Sequence, residues 1–597
     1  MRLRGTSPST WGLGCGLLLS ALVGCSAEME PSGVDGGSGT AGTSSPVPGA
    51  GAGGAAAGAP ASGGTAGTPT AAGGSGSGAA PGAGSGGVAP GECAPFEGVS
   101  RRIWRLSNLQ YSNVIRDLLG IASPPEVTGG GTALLAFYSK ETETVDERLQ
   151  FSYYQAAEAV AAQINPTTLA ACTNGEAEQA CAQRLATTLA TKGFRRPVAA
   201  AEIADLMAVY AEGRKTDFAS GIKLLVQAVL LAPSFAYRSE LGEGSAAQVT
   251  LTPYEVASQL SFLFLNSMPD DALRAAAADG SLGTEAGIAQ QVDRLFAIKG
   301  AQLNIARVIV DWFGGREEGK GKDAGMFPEY TPEVQQDLVT ATRLFVEDAL
   351  WNGTRKMDDL LLSSRLFVNA RTAPLLGFTL PAGTPAGQFA AVTAPAGQRA
   401  GMLTQPGIMA AKSNTDATSV VHRGKYILKD VLCGVTIPEP PEGLLDQPEI
   451  AAKLNMLKTE QERTDYRLST GICVGCHQVI DPFGMMLEHI DPIGRYRTEL
   501  LEGGPVKASW DMAFSPSLTG TINGAQEFAQ GMVKDRLLSS CGTRKLASYA
   551  LGREQPASCE LERIHDRYLA SSDQSVATLL REVILDRVMR VRAGGTP

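Results

Sequence analysis

Apolar and polar positions fall into three regimes along the chain. A continuous apolar run, Trp11–Val23, follows the two positive residues Arg2 and Arg4. Residues 26–92 then show no hydrophobic period at all: from Gly51 to Pro90, Val88 is the single residue other than Gly, Ala, Ser, Thr or Pro. From about Cys93 onward, apolar residues recur at helical spacing. Within 101–120, Ile103, Leu106, Leu109, Val114, Leu118 and Leu119 mark one helix face, and Gly120 is a stop signal. Similar patterns predict helices over 199–213, 218–240, 252–266, 331–350, 418–432, 535–551 and 574–591. Thr252 is a good N-cap, with Glu255 at the capping-box position and Pro253 in the first turn. Strand-like alternation is scarce, and the Gly/Ala/Thr/Pro-rich stretch 380–398 reads as a loop between modules. The pattern predicts a mainly α protein, a multi-module helical body preceded by a disordered linker. Its modules are placed at 93–170, 171–245, 246–380, 398–500 and 510–592.

Composition separates these regimes physically. The 597 residues exceed one domain, and 44% hydrophobic residues with only 6% aromatics and 70 glycines describe a packed body joined to low-complexity polymer. The tether at 26–92 cannot bury enough apolar area to offset its ordering entropy. As a flexible coil it would have an end-to-end distance of roughly 45 Å. Its GxGxxG-like strings arise from composition and follow no strand, so they carry no dinucleotide signal. The formal charge of −10 argues against a phosphate-binding surface, and no nucleic-acid partner is expected. No apolar stretch of spanning length follows residue 25.

Residues 1–25 have the layout of an export signal, since the Trp11–Val23 run is too short to cross a bilayer. It ends in Leu22-Val23-Gly24-Cys25, which resembles the bacterial lipobox. That resemblance implies cleavage before Cys25 and lipidation of its sulfur, which makes the protein an exported bacterial lipoprotein held to the membrane through a lipid anchor only. Ser26 at the next position favours the outer membrane, on its periplasmic or cell-surface side.

The strongest chemical motif is Cys473-Val474-Gly475-Cys476-His477. On a helix the two thiols stand about one turn apart, with the imidazole beside the second. Each thiol can add to a haem vinyl group while the imidazole reaches the iron, so the expectation is one covalent haem c bound by Cys473, Cys476 and His477. A zinc site would need a second ligand pair at similar spacing, and His422, His489 and His565 show none. A thioredoxin-like disulfide would need a preceding strand. For the sixth iron ligand, Met485, Met486, Met512, Met532, His489 and His565 follow the motif. Met512 has the separation a distal loop needs, whereas Met485 and Met486 read as helix-core residues and His489 as structural.

Six further cysteines, Cys93, Cys172, Cys181, Cys433, Cys541 and Cys559, fit an oxidising compartment. Sequence proximity suggests Cys172–Cys181 and Cys541–Cys559, leaving Cys93–Cys433 by elimination. The run Gly314–Lys320 lacks the Ser/Thr of a phosphate loop, Gly321 standing in its place, and carries two glutamates; it reads as a solvated turn. Neither HExxH nor a serine elbow occurs in the body. Asp481, Glu488 and Asp491 read as capping groups and ion-pair partners of Arg495 and Arg497, and Pro438–Pro441 as an extended linker.

Several blocks also share a pattern. Arg105–Asn113 with Arg116–Gly120 resembles the opening module of a bacterial family of tandem domains of unknown function. Phe194–Pro197 and Leu231–Glu240 resemble its second module, and Tyr254–Ser261 with Met268–Asp270 its third. Gly401–Pro406, His422–Lys425, the CxxCH motif, Ile480–Gly484 and Gly494–Arg497 are similar to the fourth, and Tyr549–Arg553 to the last. These are the domains of unknown function numbered 1587, 1595, 1592, 1588 and 1585. The resemblance covers nearly all of residues 100–590. It implies exported, often cytochrome-like proteins, and it carries over only to Cys473, Cys476 and His477; it does not select a sixth ligand.

Two functions of different class follow, with a third besides. One is an electron carrier serving a redox partner protein, basic if charge complementarity sets the choice. Another is a haem-dependent oxidoreductase with a substrate pocket in residues 100–400. The third is a surface scaffold whose CxxCH carries no haem. A mono-haem carrier needs only about 100 residues to bury its cofactor, so the helical body exceeds that need.

Overall fold

The computed structural model describes residues 98–128, 145–315, 321–434, 447–552 and 558–594, together with residues 437 and 443. Cys25, Cys93, the tether, residues 316–320 of the glycine-rich run and Pro438–Pro441 lie outside the described residues. The described part is mainly α, as expected. Its eight strands form four two-stranded antiparallel sheets.

The first helix shows how local chemistry sets the boundaries. Residues 101–105 are not helical: β1 (Arg102–Arg105) pairs with β2 (Tyr237–Glu240), setting Arg102 opposite Glu240 and Arg105 opposite Tyr237. Helix α1 (Asn108–Leu119) begins only after Ser107. Its Oγ accepts the Gln110 N–H at 3.2 Å, while the Gln110 side chain accepts the Ser107 N–H at 3.1 Å. Gly120 closes the helix at φ 71°. The same tertiary override corrects the helix expected over 218–240, which ends at Leu231 because residues 237–240 are drawn into the pairing with β1.

Periodicity missed several helices, among them α2 (Glu147–Gln163) and α3 (Glu178–Gly193). On each, three of the seven buried residues are alanines, a weak marker of a stripe. With α4 (Ala200–Arg214) and α5 (Phe218–Leu231) they enclose a core around Tyr111, Leu149, Leu189, Leu225 and Phe235. Helix α6 (Pro253–Phe264) starts with the expected Thr252–Glu255 capping box. A larger core extends from Val99 to Met589. It includes α7 (Lys299–Trp312), α8 (Pro332–Trp351), the segment around the CxxCH motif and the C-terminal helices. β3 (Gln248–Thr250) pairs with Val591–Ala593, so the chain's last strand closes on the start of the third expected module.

In the motif region, α9 (Val420–Tyr426) lies against α11 (Gly471–Met485), which α10 (Glu460–Ser469) precedes. The α9–α11 approach requires glycine. A Cβ at Gly484 would fall 1.9 Å from the Val420 carbonyl oxygen, and one at Gly424 would fall 2.2 Å from the Ile480 carbonyl oxygen. The fully buried Arg423 reinforces the contact. It donates to the carbonyls of Leu487, Ile490 and Asp491 at 2.9, 2.7 and 3.2 Å, and to Ser413 Oγ at 3.0 Å. Glu488 pairs with it at 3.3 Å and also receives Thr418 and Arg497.

The disulfides correct part of the expected pairing. Cys172–Cys181 forms as anticipated, but Cys433 is bonded to Cys541, which excludes both Cys541–Cys559 and Cys93–Cys433. Cys559 is also disulfide-bonded. Proximity in sequence failed because Cys541 sits inside α12 (Leu537–Leu551), about 15 Å of rigid helix short of its end. There its sulfur faces Asp430 and Cys433, at the end of the turn that continues α9. The bridge spans 108 positions and fastens the C-terminal helices to the motif region.

If the glycine contact holds the motif helix, Gly484→Ala should lower unfolding free energy by about 3 kcal/mol or more. Gly475→Ala, where a Cβ meets nothing within 4 Å, should cost little. Denaturant unfolding of the two variants measures the difference.

Candidate cofactor site on the Cys473–His477 helix

The CxxCH motif occupies the first half of α11, in the helical form expected from its spacing. Cys473 and Cys476 are free thiols, both half-buried, while Ile472 and Val479 leave apolar side chains exposed on the same helix. Burial pushes the Cys473 thiol up, and Arg467 works against that shift. Pro482 interrupts the N–H ladder below the motif and leaves the Gln478 carbonyl without its helical donor, at a residue open to water.

His477 is held from behind. Its Nδ1 lies 2.9 Å from Oδ1 of Asp481, one helical turn on and fully buried. Arg467, from α10, donates through Nε to Asp481 Oδ2 at 2.8 Å and through Nη2 to Thr464 Oγ1 at 2.8 Å. Glu460 lies 3.7 Å from the same guanidinium; burial raises its carboxyl, and Arg467 opposes the rise. A carboxylate already bonded to arginine is an acceptor, so His477 donates from Nδ1, leaving Nε2 as the ring nitrogen not engaged by Asp481. Carboxylate support of one imidazole nitrogen is the arrangement that orients metal-binding histidines.

The reading of three carboxylates as ion-pair partners of Arg495 and Arg497 holds for two. Asp491 pairs with Arg495 at 2.6 Å and Glu488 with Arg497 at 2.9 Å. Asp481 instead serves His477 and Arg467. Sequence reasoning missed that role and missed Arg467 and Thr464 altogether. The i, i+4 spacing of His477 and Asp481 carried the signal for the first; nothing local pointed to the other two.

Other ligand candidates are distributed as follows. Met512 is the buried residue of β4 (Ser509–Ser515) and packs in the core cluster on which Cys476 borders. Met485, Met486 and Met532 are core residues, and Thr464 Oγ1 approaches Met485 Sδ at 3.9 Å. His489 is committed through Nδ1 to the Arg497 carbonyl at 2.9 Å and stacks on Tyr496. His565 Nε2 is 2.9 Å from Ser539 Oγ. His422 lies exposed on α9. Cys172, Glu176 and Cys181 cluster closely enough to suggest a metal, but the two sulfurs are bonded to each other.

Three segments match models of families described only by number. Residues 181–240 match PSD5, "Protein of unknown function (DUF1595)". Residues 251–378 match PSD4, "Protein of unknown function (DUF1592)". Residues 399–500, which contain the CxxCH helix, match PSCyt3, "Protein of unknown function (DUF1588)". Their order supports a tandem family of domains of unknown function. No curated protein and no solved structure matches the chain.

Burial lowers the His565 imidazole below its ordinary value, with Asp566 opposing and Arg536 adding to the shift. The neutral ring is the form the fold favours, so its stabilising contribution is complete above the unfolded value near 6.5 and is lost as pH falls below that. Unfolding free energy should therefore drop between pH 7 and 5, and the drop should shrink in His565→Gln. Parallel chemical denaturation of both proteins across that range checks it.

Proposed function

We propose that the chain is an exported, lipid-anchored c-type cytochrome-like protein that carries electrons through one haem held by Cys473 and Cys476, with His477 as axial ligand. The observation that carries this reading is the hydrogen bond from His477 to Asp481, backed by Arg467, on a helix that also bears two free thiols one turn apart. The donor set fits the group: each thiol can add its S–H across one vinyl substituent, and the pinned imidazole offers Nε2. When bound, the haem supplies a one-electron iron couple.

The chain's own residues have separate tasks. Asp481 fixes the tautomer and direction of the imidazole. Arg467 holds the Asp481 carboxylate in place. Ile472 and Val479 offer apolar surface, being 54% and 38% exposed on the motif helix. Met512 is the candidate sixth ligand, a soft sulfur on the hairpin strand β4. The Cys172–Cys181 and Cys433–Cys541 disulfides favour an oxidising compartment, in keeping with export. Cys25 would carry the lipid at the outer membrane. The tether would give the body reach, and the acidic balance would favour a basic redox partner.

The test is to mature the exported protein with a c-type haem attachment system and titrate it electrochemically. With haem bound through His477, the Asp481 carboxylate would favour the oxidised iron, so Asp481→Asn should raise the midpoint potential by some tens of millivolts while haem content is retained. An unchanged potential contradicts the role given to Asp481. If Met512 is the sixth ligand, the oxidised protein shows a methionine-to-iron charge-transfer band that Met512→Ala abolishes; a band that persists in Met512→Ala removes Met512 from the site.

A further inference from the structure

A second site is built from the very residues that mark the second and third modules. Between β2, the Phe194–Pro197 turn and the first turns of α6 lies a cleft of about 800 Å³. That volume is within the range of small-molecule sites. We infer that this cleft binds a small organic carboxylate with an apolar body, anchored by Arg238.

Arg238 is the group that singles out an anion. Its guanidinium lies over the rings of Trp104 and Phe262, 4.0 and 5.2 Å from their centroids, and so is held as a flat, oriented fork. Among the described residues it makes no hydrogen bond or ion pair. The neighbouring arginines are committed: Arg195 donates to the carbonyls of Ser234, Phe235 and Tyr237, and Arg196 pairs with Glu202 at 2.8 Å. Burial pulls Arg238 down to about 10, which leaves it charged at neutral pH.

The surroundings reinforce that polarity. Glu240, the nearest carboxylate, is shared between Arg102 and Arg592, so the cluster behind the cleft holds more positive than negative charge. Glu255 is already taken by the N–H groups of Leu241, Gly242 and Thr252 and by the Thr252 hydroxyl. Glu243 lies exposed among the lining residues. Two hydroxyls of lining residues, those of the half-buried Tyr237 and Tyr254, lack partners among the described residues. Phe194 and the 57% exposed Ile103 supply apolar wall. One free planar fork with two hydroxyls and an apolar wall matches a carboxylate on a hydrocarbon body better than a phosphate, which needs donors around three oxygens.

Calorimetric titration of the full chain with benzoate, phenylacetate and octanoate, each beside its amide and beside inorganic phosphate, tests the inference. At least one carboxylate should bind saturably, at least tenfold more tightly than its amide and more tightly than phosphate. Arg238→Gln should weaken it tenfold or more. Tyr237→Phe and Tyr254→Phe, which keep the packing, should each weaken it a few-fold, and they carry the test if Arg238→Gln fails to fold. The inference is overturned if none of the three acids binds, if an amide or phosphate binds as well, or if the variants bind like the unaltered protein.

Discussion

The arrangement around the motif helix depends on one close backbone contact. Helices α9 and α11 meet where Gly424 and Gly484 present no side chain, each against a carbonyl of the other helix. Such an approach leaves no room for adjustment, because a single methyl group at either position would overlap backbone. Arg423, beside one of those glycines, spans to the chain that follows α11 and satisfies three of its carbonyls. A buried guanidinium with this many partners is a poor source of net stability but a strong source of specificity, since removing Glu488 would leave the buried Arg423 charge without its carboxylate, at a cost of about 3–5 kcal/mol. The contact therefore defines one register for the helix that bears the thiols.

From that register the histidine inherits its direction. The lower half of α11 is clamped and buried, with Ile480, Asp481, Phe483, Gly484 and Met485 all inside, while its upper half stays half-exposed. Asp481 sits at the junction, so the same side chain is both part of the buried half and the support of His477. Arg467 and Thr464 bring α10 into the arrangement, and the Cys433–Cys541 bridge ties the far side of α9 to the C-terminal helices. An imidazole fixed through three successive groups has little rotational freedom, as a cofactor ligand requires.

Much of this was legible in the sequence, and the failures are instructive. The helices with strong stripes and clear caps, such as Pro253–Phe264 and Pro332–Trp351, were placed almost to the residue. Residues 102–105 and 237–240 looked helical because their neighbours were; their pairing across more than 130 positions leaves no local trace. The alanine-lined helices 147–163 and 178–193 lacked the contrast that periodicity needs. Proximity located Cys172–Cys181 but not Cys433–Cys541, since a rigid helix carries Cys541 away from its sequence neighbour. The thiols and imidazole were evident from spacing alone, whereas Arg467 was invisible because its partner lies fourteen residues away on another helix.

Cys473 and Cys476 are the proposed haem attachment points, with His477 aimed by Asp481. Peptide mass mapping of the mature protein, purified without reductant from a host that attaches c-type haem, tests this assignment most directly. The peptide bearing Cys473 and Cys476 should carry the mass of one haem, with neither thiol open to alkylation. A peptide of unmodified mass whose two thiols alkylate, or are bonded to each other, would contradict it.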